Sequence, residues 1–523
     1  MNIQIDKRAY WLIPILMVLI FTLAISLNYA WPLSWDIFIH INYALTYINH
    51  GITTIDPLLN APGGKAIGYP PMFHALLILV SKLTGLSLFD SAKVFQVVIP
   101  VIFMIICMYV SYRMYNEISA LVTGLILVSS YIFTRLYLPI PESVTMVLFF
   151  VGIYLFHLAC RYGKAKYVLV SAIISLLIVS IHFSSFIYYI ILLSVLMVVE
   201  LFIERTSRPF KSYIYFLCVL AVVGLIGAVL LYIISPSHLM DLIGGAVSII
   251  SDPMSIFMGQ KAMGLERYIK CLGVIVLVCG IVGLYYSFKD RRLLFVSMWT
   301  LVAFVLSNLH WFGIPVYTYR MLIYVLMPAV IVGGYGVARL VEKLNTKNKS
   351  YSIILILALI ILSFIAGYNN INDPALTTTS ATTEASTYQI APPTSSEVEV
   401  INWFENADHN KSILSNNMFF ATVISSTDQM PIHYKFDTYI AQNHTTTQKS
   451  MHKEKIGYIL YDKNLVVNNS SSYAHQDVIC INGSFYPTYY FTNKITDENF
   501  HAIQPEYTTK VFENDRFIIC QVQ

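Results

Sequence analysis

The chain has 523 residues, 57% of them hydrophobic and only 12% charged, with a mean hydropathy of +0.64. That composition excludes a soluble globular protein. The net charge of +4 gains meaning only once the basic residues are placed along the chain.

Apolar runs of the length that crosses a bilayer fall at about 10–30, 94–112, 118–134, 143–160, 167–182, 184–203, 212–234, 269–288, 293–310, 321–341 and 352–368. The first follows Asp6, Lys7 and Arg8 and has no small-residue cleavage pattern after it, so it reads as a retained anchor. Short basic turns recur on one side: Lys7/Arg8, Arg113, Arg161/Lys164/Lys166, Arg205/Arg208/Lys211, Lys289/Arg291/Arg292 and Lys343/Lys347/Lys349. The intervening segments are longer and sparsely basic. This asymmetry puts the N-terminus in the cytoplasm and the C-terminus outside, and an odd number of spans agrees with it. The segment 71–93 has too short an apolar core to span and is read as a helix lying at the outer interface.

Five cysteines (107, 160, 218, 271, 279) lie in the apolar runs without CxxC spacing and read as packing residues. Cys480 and Cys520 lie in the tail and can pair if it is extracytoplasmic. Residues 369–396 form a Thr/Ser/Pro-rich linker. From 397 to 523, short alternating runs such as 456–461 and 517–520 have the texture of a small domain with strands. The expected fold is therefore an α-helical polytopic membrane protein of about eleven transmembrane helices. It comprises a membrane body at 1–368, with a first outer loop at 31–93, and a small extracytoplasmic C-terminal domain, α/β or mainly β. The location is the cell membrane, multi-pass.

The first outer loop is too polar to span and too aromatic for an ordinary connection. It carries Asp36, Asp56, His40, His50 and His74, a turn at Ala61–Lys65, and Gly68-Tyr-Pro-Pro71. Asp36, flanked by Trp31, Trp35 and Phe38, is a carboxylate at the outer surface whose basicity desolvation should raise; it also suits the cap of a helix over 37–49. Glu142 follows Pro139 and Pro141 at the start of a span, where an acid suits the helix dipole, with Arg135 one loop-length away. Arg320, among Tyr317, Tyr319 and Tyr324, is a cation on the side where cations are scarce, and phosphate is a fitting partner for a planar guanidinium; snorkelling to lipid headgroups is the plainer reading. His182 closes a span, His74 and Tyr69 shape the loop, and 235–268 has the length of a lid. No Walker loop, GxGxxG, HExxH or GxSxG is present.

Trp35-Asp36, Tyr69-Pro-Pro-Met-Phe-His74, the stretch from Arg135 to Glu142, and Tyr319-Arg320 together resemble the GT-C glycosyltransferases, in particular protein O-mannosyltransferases and aminoarabinose transferases. The oligosaccharyltransferase catalytic subunit is a more distant likeness, because its Trp-Trp-Asp-Tyr-Gly motif is absent from 369–523 and its Asp-x-Asp is absent before the fourth span. The resemblance implies inverting transfer of a sugar from a polyprenyl-phosphate donor on the extracytoplasmic face. It assigns catalysis to Asp36 and Glu142, substrate binding to Arg320, Arg135, Tyr319, Tyr69, His74 and His182, and a divalent cation (Mg or Mn) to Asp36 and Glu142. Partners are the lipid donor and the bilayer, with the acceptor open and no nucleic acid. The alternative from another class is a transporter or flippase for a lipid-linked saccharide. It would place charge at the midplane and break matching helices of two repeats, whereas these acids and arginines collect at one rim.

The orientation can be checked at Asn348-Lys-Ser350, a sequon in a turn read as cytoplasmic. In a host that glycosylates external sequons, mass spectrometry should find Asn348 unmodified; a glycan there inverts the topology.

Overall fold

The computed structural model describes residues 9–34, 36–51, 53–234, 236, 240, 243–244, 264–314, 316, 318–373, 393–440, 444–466, 478–481, 488–491, 494–501 and 503–523. The elements open with α1 (Ala9–Asn28), α2 (Asp36–His50), the two-residue strands β1 (Ile55–Asp56) and β2 (Lys65–Ala66), and α3 (Met72–Thr84). Then come α4 (Leu88–Met114), α5 (Glu117–Ser129), a 3₁₀ turn (Tyr131–Tyr137), α6 (Pro141–Tyr162), α7 (Ala165–Ile181), α8 (Phe183–Glu204) and α9 (Arg208–Ile234). After residue 264 follow α10 (Leu265–Leu272), α11 (Val274–Ser287), α12 (Arg291–Ser307), α13 (Thr318–Asn345) and α14 (Lys349–Ile371).

Each expected span coincides with a helix or with two helices meeting at a bend. Among the described residues seven helices are individually long and apolar enough to cross a bilayer, and nine spans result if each bent pair counts as one. The two remaining expected spans correspond to α7 and α12, of 17 residues each, at the short end for a crossing. The segment 71–93 differs from its expected form. Its helix α3 stops at Gly85, whose φ of 72° ends the helix in the left-handed region, and 88–93 belongs to the 27-residue α4. At 13 residues α3 is too short to span.

The chain divides into two compact units: Met1–Leu33 with Ala92–Gln389, and Ser34–Ser91 with Ile390–Gln523. In the first unit α13 is the central helix, with 94% of its apolar window buried, whereas α9 has only 6% of its window buried and offers the rest to lipid. Without a hydrophobic drive between helices in lipid, close backbone approach supplies the packing. Glycines allow it here: a Cβ on Gly283 of α11 would stand 2.1 Å from the Val332 carbonyl oxygen, and one on Gly334 would stand 2.2 Å from Thr123 Oγ1 of α5.

The two bends, 86° at residue 130 and 92° at residue 273, face one another. The Ser130 hydroxyl donates to the Cys271 carbonyl at 3.3 Å, and Asn370 Nδ2 donates to the Ser129 carbonyl at 3.2 Å. Gly273 adopts φ +89°, and a Cβ there would approach the Ser129 carbonyl at 3.1 Å. Broken backbone is tolerated in a bilayer only where protein takes up the freed polar groups, and these contacts do so. A buried pair, His157 with Glu200, has its imidazole stacked 4.2 Å from Phe295. It lies near the ends of α6 and α8, away from their midpoints.

In the second unit, α15 (Ser395–Phe404), β3 (Ser412–Ser415), α16 (Met418–Asp428), β4 (Ile432–His433), α17 (Phe436–Ile440), α18 (His444–Lys453), β5 (Ile456–Asp462), β6 (Val478–Ile481), β7 (Thr488–Phe491), α19 (Asp497–Phe500), β8 (Thr508–Glu513) and β9 (Phe517–Val522) follow in order. A five-stranded mixed sheet, β4-β3-β5-β9-β8, forms the centre, parallel across β4-β3-β5 and antiparallel thereafter. The fold of the tail is thus α/β. The first loop, assigned from sequence to the membrane body, clusters with this unit. The Ile432 amide donates to the Leu58 carbonyl at 2.7 Å, and the Ala61 amide donates to the Ile432 carbonyl at 2.8 Å, extending the β4 edge. Phe38 meets Phe419 edge-on at 6.0 Å. Arg516 binds Asp462 through Nε and Nη2 and Glu397 through Nη1 at 2.8 Å, fixing α15 to the sheet. Cys520 is buried in β9 as a free thiol, and the side chain of Cys480, with which it could pair, lies outside the described residues.

Gly283 and Gly280 lie on the same helix, but a Cβ on Gly280 would meet nothing within 4 Å. Gly283→Leu should therefore cost about 3 kcal/mol or more through overpacking against backbone, seen as a clear fall in the melting temperature in detergent. Gly280→Leu should melt like the parent protein, and equal melting of both variants would contradict the α11–α13 packing.

Candidate functional site

Five of the expected site residues come together in the first unit. Arg135 is carried by the 3₁₀ turn after the first bend and is 3% exposed. Its backbone carbonyl accepts from Ser143 Oγ at 3.0 Å, so the turn is tied to the first turn of α6. The restricted backbone of Pro141 at the helix start sets Glu142 in that same turn, and the Arg135 guanidinium pairs with its carboxylate. Arg320 and His182 lie within electrostatic reach of the same carboxylate. The Tyr319 ring centroid stands 5.7 Å from the Arg135 guanidinium carbon, a cation–π distance.

His182 is the N-cap of α8. Its Nδ1 accepts from the Ser185 amide at 3.3 Å and lies 2.7 Å from Ser185 Oγ. An accepting Nδ1 leaves the proton of the neutral ring on Nε2. With Nδ1 accepting, the ring carries a single proton and no charge. Ser185 Oγ also receives Thr145 Oγ1 at 3.1 Å and meets Tyr324 Oη at 3.1 Å. Tyr324 in turn packs on Phe149 and Tyr188 at 4.7 and 4.5 Å. Thr145, not foreseen from the sequence, lies one turn beyond Glu142 on α6, and that spacing was its only signal.

Two guanidiniums, one carboxylate and a neutral imidazole lie together in largely buried surroundings. Arg135 Nε, itself buried, makes no hydrogen bond, and an unpaired buried donor of this kind is costly unless a ligand completes it. Such a cluster suits an anion with several acceptor oxygens.

Glu142, expected as a metal ligand, has Arg135 where a cation would stand, and Arg320 close by. Among the described residues no three His, Cys, Asp or Glu side chains converge as a metal site. A divalent ion at Glu142 would face two guanidiniums, so this part of the chain does not fit one.

The other expected residues belong to the second unit. Asp36 is the first residue of α2, and its amide donates to Ser34 Oγ at 3.3 Å. Ser34 thus does the work at the helix start, and the Asp36 side chain is half-buried. His74 is fully buried, with Nε2 3.0 Å from His40 Nδ1 and its ring edge-on to Tyr43 and Tyr47. Burial pushes its pKa down to about 3, so it is neutral and placed for packing. Tyr69, half-buried, meets the His40 ring at 4.7 Å. Trp35, Tyr317 and most of the segment 235–268, read as a lid, lie outside the described residues.

No protein-family profile and no curated protein matches the sequence. Solved structures do match in fold. The oligosaccharyltransferase AglB of Archaeoglobus fulgidus, in complex with an inhibitory peptide and a dolichol-phosphate, superposes with a TM-score of 0.61 at 10% identity, covering 88% of this chain and 69% of AglB. ArnT of Cupriavidus metallidurans bound to undecaprenyl phosphate gives 0.56 at 10% identity, covering 96% of this chain and 97% of ArnT. The mycobacterial arabinofuranosyltransferase AftD gives 0.57 at 10% identity, covering 99% of this chain and 40% of AftD. The A. fulgidus enzyme has also been crystallised with Zn and sulfate. The fold is the GT-C fold of polytopic membrane proteins, as the sequence resemblance implied.

Removing one member of a buried ion pair leaves the other charge uncompensated. Glu142→Gln should destabilise the membrane unit by about 3–5 kcal/mol, read as a lowered melting temperature in detergent. An unchanged melting curve would show the pair to be solvated.

Proposed function

We propose that this protein is an inverting glycosyltransferase that moves a sugar from a polyprenyl-phosphate donor to an acceptor on the extracytoplasmic face. The observation that carries the reading is the pair of guanidiniums, Arg135 and Arg320, gathered about Glu142 and His182, with an Arg135 Nε–H that is buried and unbonded. The fold, shared with transferases solved with dolichol-phosphate and undecaprenyl phosphate, supports a lipid phosphate as its ligand.

On this reading negative charge accumulates on the phosphate oxygen as the glycosidic bond breaks, and Arg320 and Arg135 neutralise it. Glu142 holds Arg135 in place and keeps the cluster from binding every anion indiscriminately. Fixed cations in a low-dielectric site are the largest available contribution to such a step. The His182 Nε2–H is a further donor of the right type, and Tyr319 braces Arg135. Asp36 is the general base that takes the acceptor hydroxyl proton, and Tyr69 and His74 shape its loop. No step is assigned to a metal. A flippase would need its ionisable groups near mid-span, whereas this cluster lies at the helix ends around 135–142, 182 and 320.

Purified protein supplied with radiolabelled polyprenyl-phosphate sugars should accumulate a glycosylated product. Arg320→Ala should lower turnover by about 100- to 1,000-fold, the scale for losing one charge-stabilising donor. Asp36→Asn should insert normally and lose about 100-fold or more. Full turnover in the Arg320 variant removes the phosphate cradle, and full turnover in the Asp36 variant removes the base.

A further inference from the structure

A second polar cluster lies wholly within the other unit, and of its residues only Tyr69 has a place in the proposed transfer. Its floor is Asp56, fully buried in β1. Asp56 Oδ1 accepts from the Leu58 and Leu59 amides at 2.9 and 3.3 Å, while Oδ2 makes no hydrogen bond. Thr46 of α2, 1% exposed, turns its hydroxyl toward this carboxylate without a well-formed hydrogen bond. Asn42, one turn earlier on the same helix face, is fully buried with neither amide atom bonded.

Lys65 is the cross-strand partner of Asp56 in the β1–β2 pair. It reaches that place because Gly64 takes φ +74°; a Cβ there would come within 2.4 Å of Ile55 Cγ2 and 3.0 Å of the Asp56 carbonyl. The Lys65 ammonium stands 5.4 Å from the Tyr434 ring centroid, and the Tyr434 hydroxyl is buried and unbonded. Tyr43, Tyr47 and Tyr434 all lie within electrostatic reach of Asp56. Lys65, Tyr47 and Tyr434 are half-exposed beside the buried Asp56, and Tyr69, also half-exposed, lies within electrostatic reach of Tyr43.

Orphaned buried polar atoms are rare in folded proteins and ask for a partner. Here they include an acceptor (Asp56 Oδ2), two hydroxyls and an amide, which a ligand rich in both donors and acceptors would satisfy. The Asp56–Lys65 pair is close to neutral overall. A metal ion would be repelled by Lys65, and a phosphate by Asp56. Tyrosines offer flat apolar faces together with polar tips. A neutral ring bearing several hydroxyls and an apolar C–H face meets all of these requirements. We propose that Asp56, Thr46, Lys65, Tyr47, Tyr69 and Tyr434 form a binding site for a neutral saccharide. It is a recognition site, distinct from the arginine cluster.

The test uses the full-length protein in an amine-oxide detergent, which carries no sugar headgroup. A panel of methyl glycosides of neutral hexoses, pentoses and N-acetylhexosamines is screened by saturation-transfer NMR, with calorimetry on any binder. At least one glycoside should bind without lipid donor. Lys65→Met and Tyr434→Phe should each weaken it, the lysine variant by about tenfold or more, as for loss of a charge-assisted hydrogen bond. Asp56→Asn should do the same. If that variant does not fold, Lys65→Met, changed at a half-exposed position, decides. Arg320→Ala should bind the glycoside unchanged, which separates this site from the phosphate cradle. No binding by any glycoside, binding that survives both Lys65→Met and Tyr434→Phe, or binding of inorganic phosphate or Mg²⁺ in place of a glycoside overturns the proposal.

Discussion

A guanidinium buried among apolar helices must be paired, because neither lipid nor core offers it solvation. That constraint organises one end of the membrane unit. Arg135 is only 3% exposed, so the chain brings Glu142 to it across a single proline-stiffened turn. Everything nearby then serves two charges that sit where charge is expensive. Ser143 holds the turn, Tyr319 covers the guanidinium, and the Thr145–Ser185–His182 hydroxyl and imidazole chain fixes the facing helices. Arg320 brings a second guanidinium within electrostatic reach of the same carboxylate. The proposed phosphate chemistry rests on that pair of guanidiniums.

The rest of the membrane unit keeps this end rigid. The central helix α13, which begins just before Tyr319 and Arg320, is locked by glycine-mediated contacts with α5 and α11, where backbone meets backbone and cannot yield. Ser130 at one bend satisfies the Cys271 carbonyl at the other, and Asn370 of α14 satisfies the Ser129 carbonyl. A broken span is therefore stable here, and its 3₁₀ turn can present Arg135. The second unit solves a different problem. Its sheet ends on a short edge strand, β4, and residues 58–61 of the first loop hydrogen-bond to that edge as an added segment would. The same loop supplies Asp56 and Lys65, so the element that covers the edge also builds the polar cluster beneath the tyrosines.

Much of this was legible from the residues in order. Span positions follow from local apolar length, because the bilayer thickness imposes the same requirement on every stretch independently. Every expected span accordingly coincides with a helix or a bent pair, and the brief apolar core at 71–93 correctly reads as too short. Arg135 and Glu142 lie seven residues apart, near enough for a sequence reading to pair them. The alternating runs of the tail announce strands, because burial on one face leaves a period of two.

What the order of residues could not carry is whatever depends on distant segments meeting. The bends at 130 and 273 lie within apolar runs that read as continuous, since the bond that permits one break comes from the other. Ile432 pairs with Leu58 and Ala61 through backbone groups, which have no side-chain signature, so the first loop reads as part of the membrane body. Asp56 looked like one carboxylate among several until folding placed Thr46, Lys65 and Tyr434 around it. Order along the chain sufficed for a polytopic helical body, a tail with strands and the residue types of the proposed phosphate cradle. The tertiary structure decided which charges face each other, and made Glu142 the partner of an arginine where a metal ion had been expected. The reason is physical: hydrophobic length and periodicity are properties of neighbours along the chain, whereas the balance of buried charge is settled only by neighbours in space.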